Sequence, residues 1–158
     1  EVLIILKKTI LVAISILMIF SLTGCGLTEV SLSIDTKPAP LEFNEGETNK
    51  DFEISVETSG GIDKVNIDQL IIEFKDDNGN IILTETPELD KNESYAVGGL
   101  DFKVQENIDL KDLLNQQGLT TEELNQLYKE ELQGKEYSLV ITITGSHNTV
   151  HKSKIIFN

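Results

Sequence analysis

From residue 29 onward, apolar and polar residues mostly alternate. Val30, Leu32 and Ile34 alternate with Ser31, Ser33 and Asp35, the period-two pattern of a strand buried on one face. Lys37-Pro38-Ala39-Pro40 ends it, because proline has no ladder donor. Leu41-Glu42-Phe43 resumes pairing briefly before Asn44-Glu45-Gly46-Glu47 turns the chain. Phe52, Ile54 and Val56 mark a second strand, broken by Ser59-Gly60-Gly61. Leu70, Ile72 and Phe74 mark a third. After Asp76-Asp77-Asn78-Gly79-Asn80 the chain returns as Ile81–Thr84, and the Asn-Gly pair predicts a tight hairpin with both residues at positive φ. Pro87–Glu93 reads as a polar loop. Leu100, Phe102 and Val104, after Gly98-Gly99, predict a fifth strand.

The period then lengthens. Asp109 caps a short helix with Leu110, Leu113 and Leu114 on one face, stopped by Gly118. Thr120 and Glu123 have capping-box spacing and open a second helix. Its stripe is Leu124, Leu127, Tyr128 and Leu132, and Gly134 lies just past its end. These faces predict packing over an open end of the sheets. Alternation resumes at Tyr137, Leu139, Ile141 and Ile143, a strand expected to be the longest and central. Gly145-Ser146-His147-Asn148 turns into a last strand, Thr149–Phe157. Seven strands with turns between them predict an antiparallel β-sandwich.

The N-terminus follows another rule. Lys7-Lys8 precede an apolar run from Ile10 to Phe20, and small residues follow. That order is a secretory signal peptide. Within it, Leu22-Thr23-Gly24-Cys25 resembles the lipobox of bacterial lipoproteins, Leu-x-Gly-Cys. The resemblance implies a diacylglyceryl thioether on Cys25, cleavage before it, and acylation of the freed amine, for example with palmitate. It implies a partner, membrane lipid, and a location on the extracytoplasmic face of the cell membrane. The alternative is a plain transmembrane helix ending by chance at Cys25. For this the run is short of the roughly 20 apolar residues a span needs, unless Val2–Leu6 extends it past the lysines. Because Glu1 is not an initiator, Leu6 is expected to be the true start, read from a UUG codon. The domains are then a signal peptide over 1–24, a lipidated cysteine and short tether over 25–28, and a folded domain over 29–158. A helical insert over 109–133 precedes the sixth strand.

Composition narrows the partners. The formal net charge is −14, with 13 lysines and no arginine. Removing residues 1–24 leaves 11 positive and 26 negative residues, a net of −15. A surface this acidic disfavours nucleic acid and polybasic docking on anionic lipid. The chain's 1 cysteine is Cys25. Once it is lipidated, stability must come from packing without a disulfide, although the compartment permits one.

Candidate chemistry is sparse. Asp76-Asp77-Asn78-Gly79-Asn80 resembles the opening of a calcium loop, but the EF-hand positions for glycine and glutamate hold Ile81 and Pro87. A hairpin turn accounts for these residues. His147 and His151 have zinc-like spacing only on a helix, and here they fall in a turn and a strand. There is no Gly-x-Ser-x-Gly elbow and no phosphate-cradling glycine loop. Carboxylates are too many for any pair to be singled out by sequence. Tyr95 is the aromatic least accounted for by core packing. No cofactor, metal or catalytic residue is expected.

Gly134-Lys135-Glu136-Tyr137-Ser138-Leu139 resembles the tyrosine corner of immunoglobulin-like domains, with Leu139 in place of the second core cysteine. The core tryptophan of that family is absent. The resemblance implies an all-β, immunoglobulin-like antiparallel β-sandwich of about seven strands, with a two-helix insert, preceded by a signal-peptide helix. Three functions follow as expectations. The first is a non-catalytic binding module contacting an envelope protein or cell-wall polymer. The second is an accessory subunit or inhibitor of an envelope enzyme that uses the helical insert. The third is a hydrolase with scattered carboxylates.

Overall fold

The computed structural model describes residues 31–60, 65–89 and 102–158. The signal peptide, Cys25, Tyr95 and Gly98-Gly99 lie outside the described residues. Eight strands form: β1 (Ser31–Lys37), β2 (Leu41–Phe43), β3 (Asn49–Ser59), β4 (Ile67–Lys75), β5 (Ile81–Glu85), β6 (Phe102–Asp109), β7 (Glu136–Gly145) and β8 (Thr149–Phe157). Between β6 and β7 lie α1 (Leu110–Leu113) and α2 (Thr121–Leu127), and α2 runs on into a π-helical turn, Tyr128–Leu132.

The strands make two sheets. One has the order β1-β3-β6 and the other β2-β8-β7-β4-β5. Each strand turns its aliphatic positions to one side, and cross-strand partners share that side. Leu70 pairs with Ile143, Ile72 with Ile141 and Phe74 with Leu139. Ile34 pairs with Val56, and Ile54 with Val104. All but Val104 are buried. Both sheets contribute to one core cluster, and Phe52 meets Phe74 between them, edge to face at 6.4 Å. Burying a Phe, Leu or Ile side chain contributes about 1.5–3 kcal/mol. With no disulfide among the described residues, this core is what offsets chain entropy.

The all-β, two-sheet reading therefore holds, with two corrections. Among the described residues there are eight strands where about seven were expected, and pairing is not antiparallel throughout. The added strand is β2, which pairs in parallel with β8. Pro38 and Pro40, both following cis peptide bonds, occupy the crossing from one sheet to the other. There the chain has fewer N–H donors to keep it in the first sheet. Leu41 and Phe43 are fully buried, while Glu42 faces out. Strand β7 is central in its sheet, as expected, but the longest strand is β3, with 11 residues.

Local expectations fare unevenly. The Thr120–Glu123 capping box is present, with the Thr120 N–H donating to Glu123 Oε2 at 2.8 Å and the Glu123 N–H to Thr120 Oγ1 at 3.3 Å. Asp109 caps α1 by accepting from the Lys111 N–H at 2.8 Å. This helix stops at Asn115, in left-handed backbone at φ 51°, before Gly118 is reached. In the β4–β5 hairpin Gly79 has positive φ and Asn78 does not. The Gly79 N–H donates to the Asp76 carbonyl at 3.0 Å, giving a turn followed by a glycine in place of the expected two-residue form. Leu110, Leu113, Leu124, Tyr128 and Leu132 of the helical insert are buried in the core.

The tyrosine that returns to the backbone is Tyr128. Its hydroxyl lies 2.9 Å from the Phe43 carbonyl and 2.7 Å from the Asn158 carbonyl. Tyr137 instead lays its ring edge-on to Phe157 at 5.1 Å. Phe157 also stacks on Phe43 at 5.5 Å and meets Tyr128 edge-on at 6.1 Å. This aromatic group closes one end of the core and joins β2, β8 and the helical insert.

Candidate functional site

Leu22, Thr23, Gly24 and Cys25 lie outside the described residues, so the anchor has no geometry here. Among the described residues the candidates are polar groups turned inward, the turn carboxylates and the two outer faces of the sheets.

The histidines do not converge on one site. His151 pairs with Ile141 and so faces the core side of β8; its Nε2 lies 3.4 Å from Oγ1 of buried Thr36. His147 sits in the β7–β8 turn with its Nδ1 buried and without a hydrogen bond. Among the described residues no group of three His, Cys, Asp or Glu side chains is placed to hold a metal. The Asp76 carboxylate is occupied by its own turn. It accepts from the Asn78 N–H at 2.9 Å, the Asn80 N–H at 2.8 Å and Asn80 Nδ2 at 2.9 Å. The Asn80 side-chain bond leads the causes that hold its carboxyl below the usual range. A shallow open recess is lined by Pro38, Ala39, Pro40, Glu42, Asn44 and Lys50. Lys50 there is engaged by Glu47, with Nζ 2.9 Å from Oε2.

Two carboxylates point the other way. Glu85 pairs with buried Ile72, and Glu106 with buried Phe52, so both project to the core side of their strands. Among the described residues, β5 is one edge of the larger sheet and β6 one edge of the smaller. Burial, then repulsion from Glu106 and Asp112, raises Glu85 above its ordinary range. Burial raises Glu106 as well. Inward charge on an edge strand disfavours pairing with a further strand. Sequence reasoning did not single them out. The available signal was a charged residue on the apolar parity of an edge strand.

The outer faces differ in chemistry. On the three-stranded sheet the outward register runs Asp35–Ser55–Lys103, Lys37–Glu53–Gln105 and Asp51–Asn107. Glu53 accepts from Lys103 Nζ at 2.8 Å and Gln105 Nε2 at 2.7 Å, and Asp51 accepts from Asn107 Nδ2 at 2.6 Å. This face is polar throughout the described residues. On the five-stranded sheet the outward rows are Val150–Thr142–Ile71, Lys152–Val140–Glu73–Thr84 and Lys154–Ser138–Lys75. Val150 is 57% exposed, and Ile81, opposite Lys75, is 54% exposed. Val140, flanked by Lys152 and Glu73, is 5% exposed.

No family model and no curated protein matches the chain. Among solved structures it is similar to part of a β-glucosidase from Listeria innocua bound to isofagomine, with a TM-score of 0.41 and 11% identity, over 82% of this chain and 16% of that one. It is also similar to an ApaA protein from Bordetella pertussis, with a TM-score of 0.37 and 8% identity, over 81% of this chain and 89% of that one. The chain spans 16% of the length of the β-glucosidase it matches.

Proposed function

We propose that the chain is a membrane-anchored extracytoplasmic lipoprotein whose mature part is a non-catalytic binding module of the cell envelope. The observation that carries the proposal is Leu22-Thr23-Gly24-Cys25 standing directly after a basic patch and a short apolar run. Two or more acyl chains hold a protein stably on a bilayer where one does not, each buried methylene contributing about 0.8 kcal/mol. With a net charge near −15 after cleavage, the domain is repelled by an anionic surface, and the lipid supplies the attachment.

The domain is of immunoglobulin-like build in this proposal, and the strand order supports it. Such folds set strands A, B, E and D in one sheet and C, F and G, with C′ in the variable type, in the other. Here β1, β3 and β6 take the places of A, B and E, and β4, β5, β7 and β8 those of C, C′, F and G. Loops and sheet edges of this domain contact an envelope protein or a cell-wall polymer.

An accessory subunit or inhibitor that uses the helical insert is less well supported. The insert's apolar side chains Leu110, Leu113, Leu124, Tyr128 and Leu132 are spent in the core. A hydrolase would need paired carboxylates in a cleft; Glu85 and Glu106 lie close enough to repel each other but face the core side of their strands.

Growth with a labelled fatty acid tests the anchor. The protein takes up label, and Cys25→Ser abolishes both labelling and membrane retention. Absence of label, or label that persists in Cys25→Ser, would overturn the proposal.

A further inference from the structure

We infer that the outer face of the five-stranded sheet is a self-association surface that takes a second copy of this chain. The two outer faces are unequal. That of the smaller sheet is closed by its own polar hydrogen bonds. That of the larger sets exposed Val150 in one row with half-buried Thr142 and Ile71 across β8, β7 and β4, with Val140 buried between Lys152 and Glu73 in the next row.

Charge selects the occupant. The chain carries −14 overall, so two copies repel through most orientations. The outer face of β2, β8, β7 and β4 is balanced: Lys75, Lys152 and Lys154 stand against Glu42, Glu73 and Glu136. Its layout is also self-complementary. Lys152 lies on β8 and Glu73 on β4, with Val140 of β7 between them. A two-fold axis in the plane of contact and along β7 sets β4 of the second copy over β8 of the first. Val150 then meets the partner's Ile71, and Lys152 meets the partner's Glu73, each twice, in an isologous contact. Sheet twist turns the facing strands by about 30° from this flat construction. The same rotation brings Lys154 toward the partner's Lys75. Each already carries its own carboxylate, Glu136 at 2.7 Å and Glu73 at 3.1 Å.

The test is the mass of the full chain by sedimentation in a mild detergent over a range of concentrations. A two-copy species is expected, in exchange with single copies. Val150→Asp, Lys152→Glu and Glu73→Lys should each weaken it about tenfold or more, as expected for close charge pairs. The double variant Lys152→Glu/Glu73→Lys should restore it. Val150 and Lys152 are exposed, so these two changes leave the core intact, and circular dichroism checks that each variant is folded. A single-copy mass at every concentration overturns the inference. So does a two-copy mass indifferent to the variants, which would place association in the apolar N-terminal segment or on another face. Single variants that weaken association without recovery in the double also overturn it, since Lys152 and Glu73 then do not meet.

Discussion

Gly145 ends β7 where the chain runs hard against β4. A Cβ built there would overlap the Asn66 carbonyl oxygen, and that carbonyl accepts the Ser146 N–H at 3.0 Å. Backbone must therefore shift to admit any side chain. Gly145→Ala is expected to destabilise by more than about 1 kcal/mol, beyond what an unstrained glycine-to-alanine change returns. Urea unfolding measures this, and an unchanged midpoint would show the contact to be soft. Tyr128 makes the opposite kind of contact, a polar tip reaching out of an apolar body. Tyr128→Phe keeps the ring on Phe157 and removes the hydroxyl. The Phe43 carbonyl still accepts from the Asn158 N–H at 2.9 Å, so the loss is about 1 kcal/mol. A Tyr128→Phe melting curve superimposable on the parent's would deny the hydroxyl any role. In the sequence, Tyr128 reads as one step of the Leu124–Leu132 stripe, and that packing role is correct. Its hydrogen bond is illegible there, because Phe43 and Asn158 are brought to it only by the closed fold. Tyr137, at a strand start, lays its ring edge-on to Phe157.

Elements with local causes were legible. The capping box at Thr120, the cap at Asp109 and the alternation of β3, β4 and β7 rest on residues within a few places of one another. Strand β2 was only half legible. Its alternation over Leu41-Glu42-Phe43 is visible, but its partner β8 is set by tertiary contact, so its parallel pairing was missed. The same holds for the edges. Which strands end a sheet is unknown until the order is, so Glu85 and Glu106 looked like any other carboxylates. Their position predicts a pH effect. The folded state disfavours the charged form of Glu85 relative to an ordinary value of 4.5. The folded chain therefore binds that proton more readily than the unfolded chain does. The resulting stabilisation is full below the ordinary value and is lost as pH rises through the raised one. Glu85→Gln should therefore be more stable than the parent near neutral pH, and the gap should close on acidification toward the ordinary value. Chemical denaturation across that range checks it, and a gap independent of pH would remove the ionic cause.

For the whole molecule, the period of two foretold an all-β class and one core, and two packed sheets are found. The chemistry of the outer faces could not be foretold. In β8 the inward set includes His151 and Ser153, and the outward set includes Val150 and Ile156. Local pattern thus fails to say which side is solvent, and the register with β7 decides it. The candidate site was legible to the same degree. The proposed lipobox is a linear signal of the kind a peptidase reads, whereas a surface assembled from β4, β7 and β8 is invisible until those strands lie side by side.

The parallel run of β2 beside β8 has a mechanical consequence. Tension between the proposed anchor at Cys25 and a load held beyond β8 enters β1, crosses Pro38-Ala39-Pro40 and reaches β2. It draws β2 and β8 past each other along their shared direction. The rungs joining Leu41–Phe43 to Ile155–Phe157, with the Asn158 bond to Phe43, are then sheared together instead of being peeled in succession. A domain tethered in this way resists being torn from its far end through the height of its unfolding barrier, whatever its equilibrium stability.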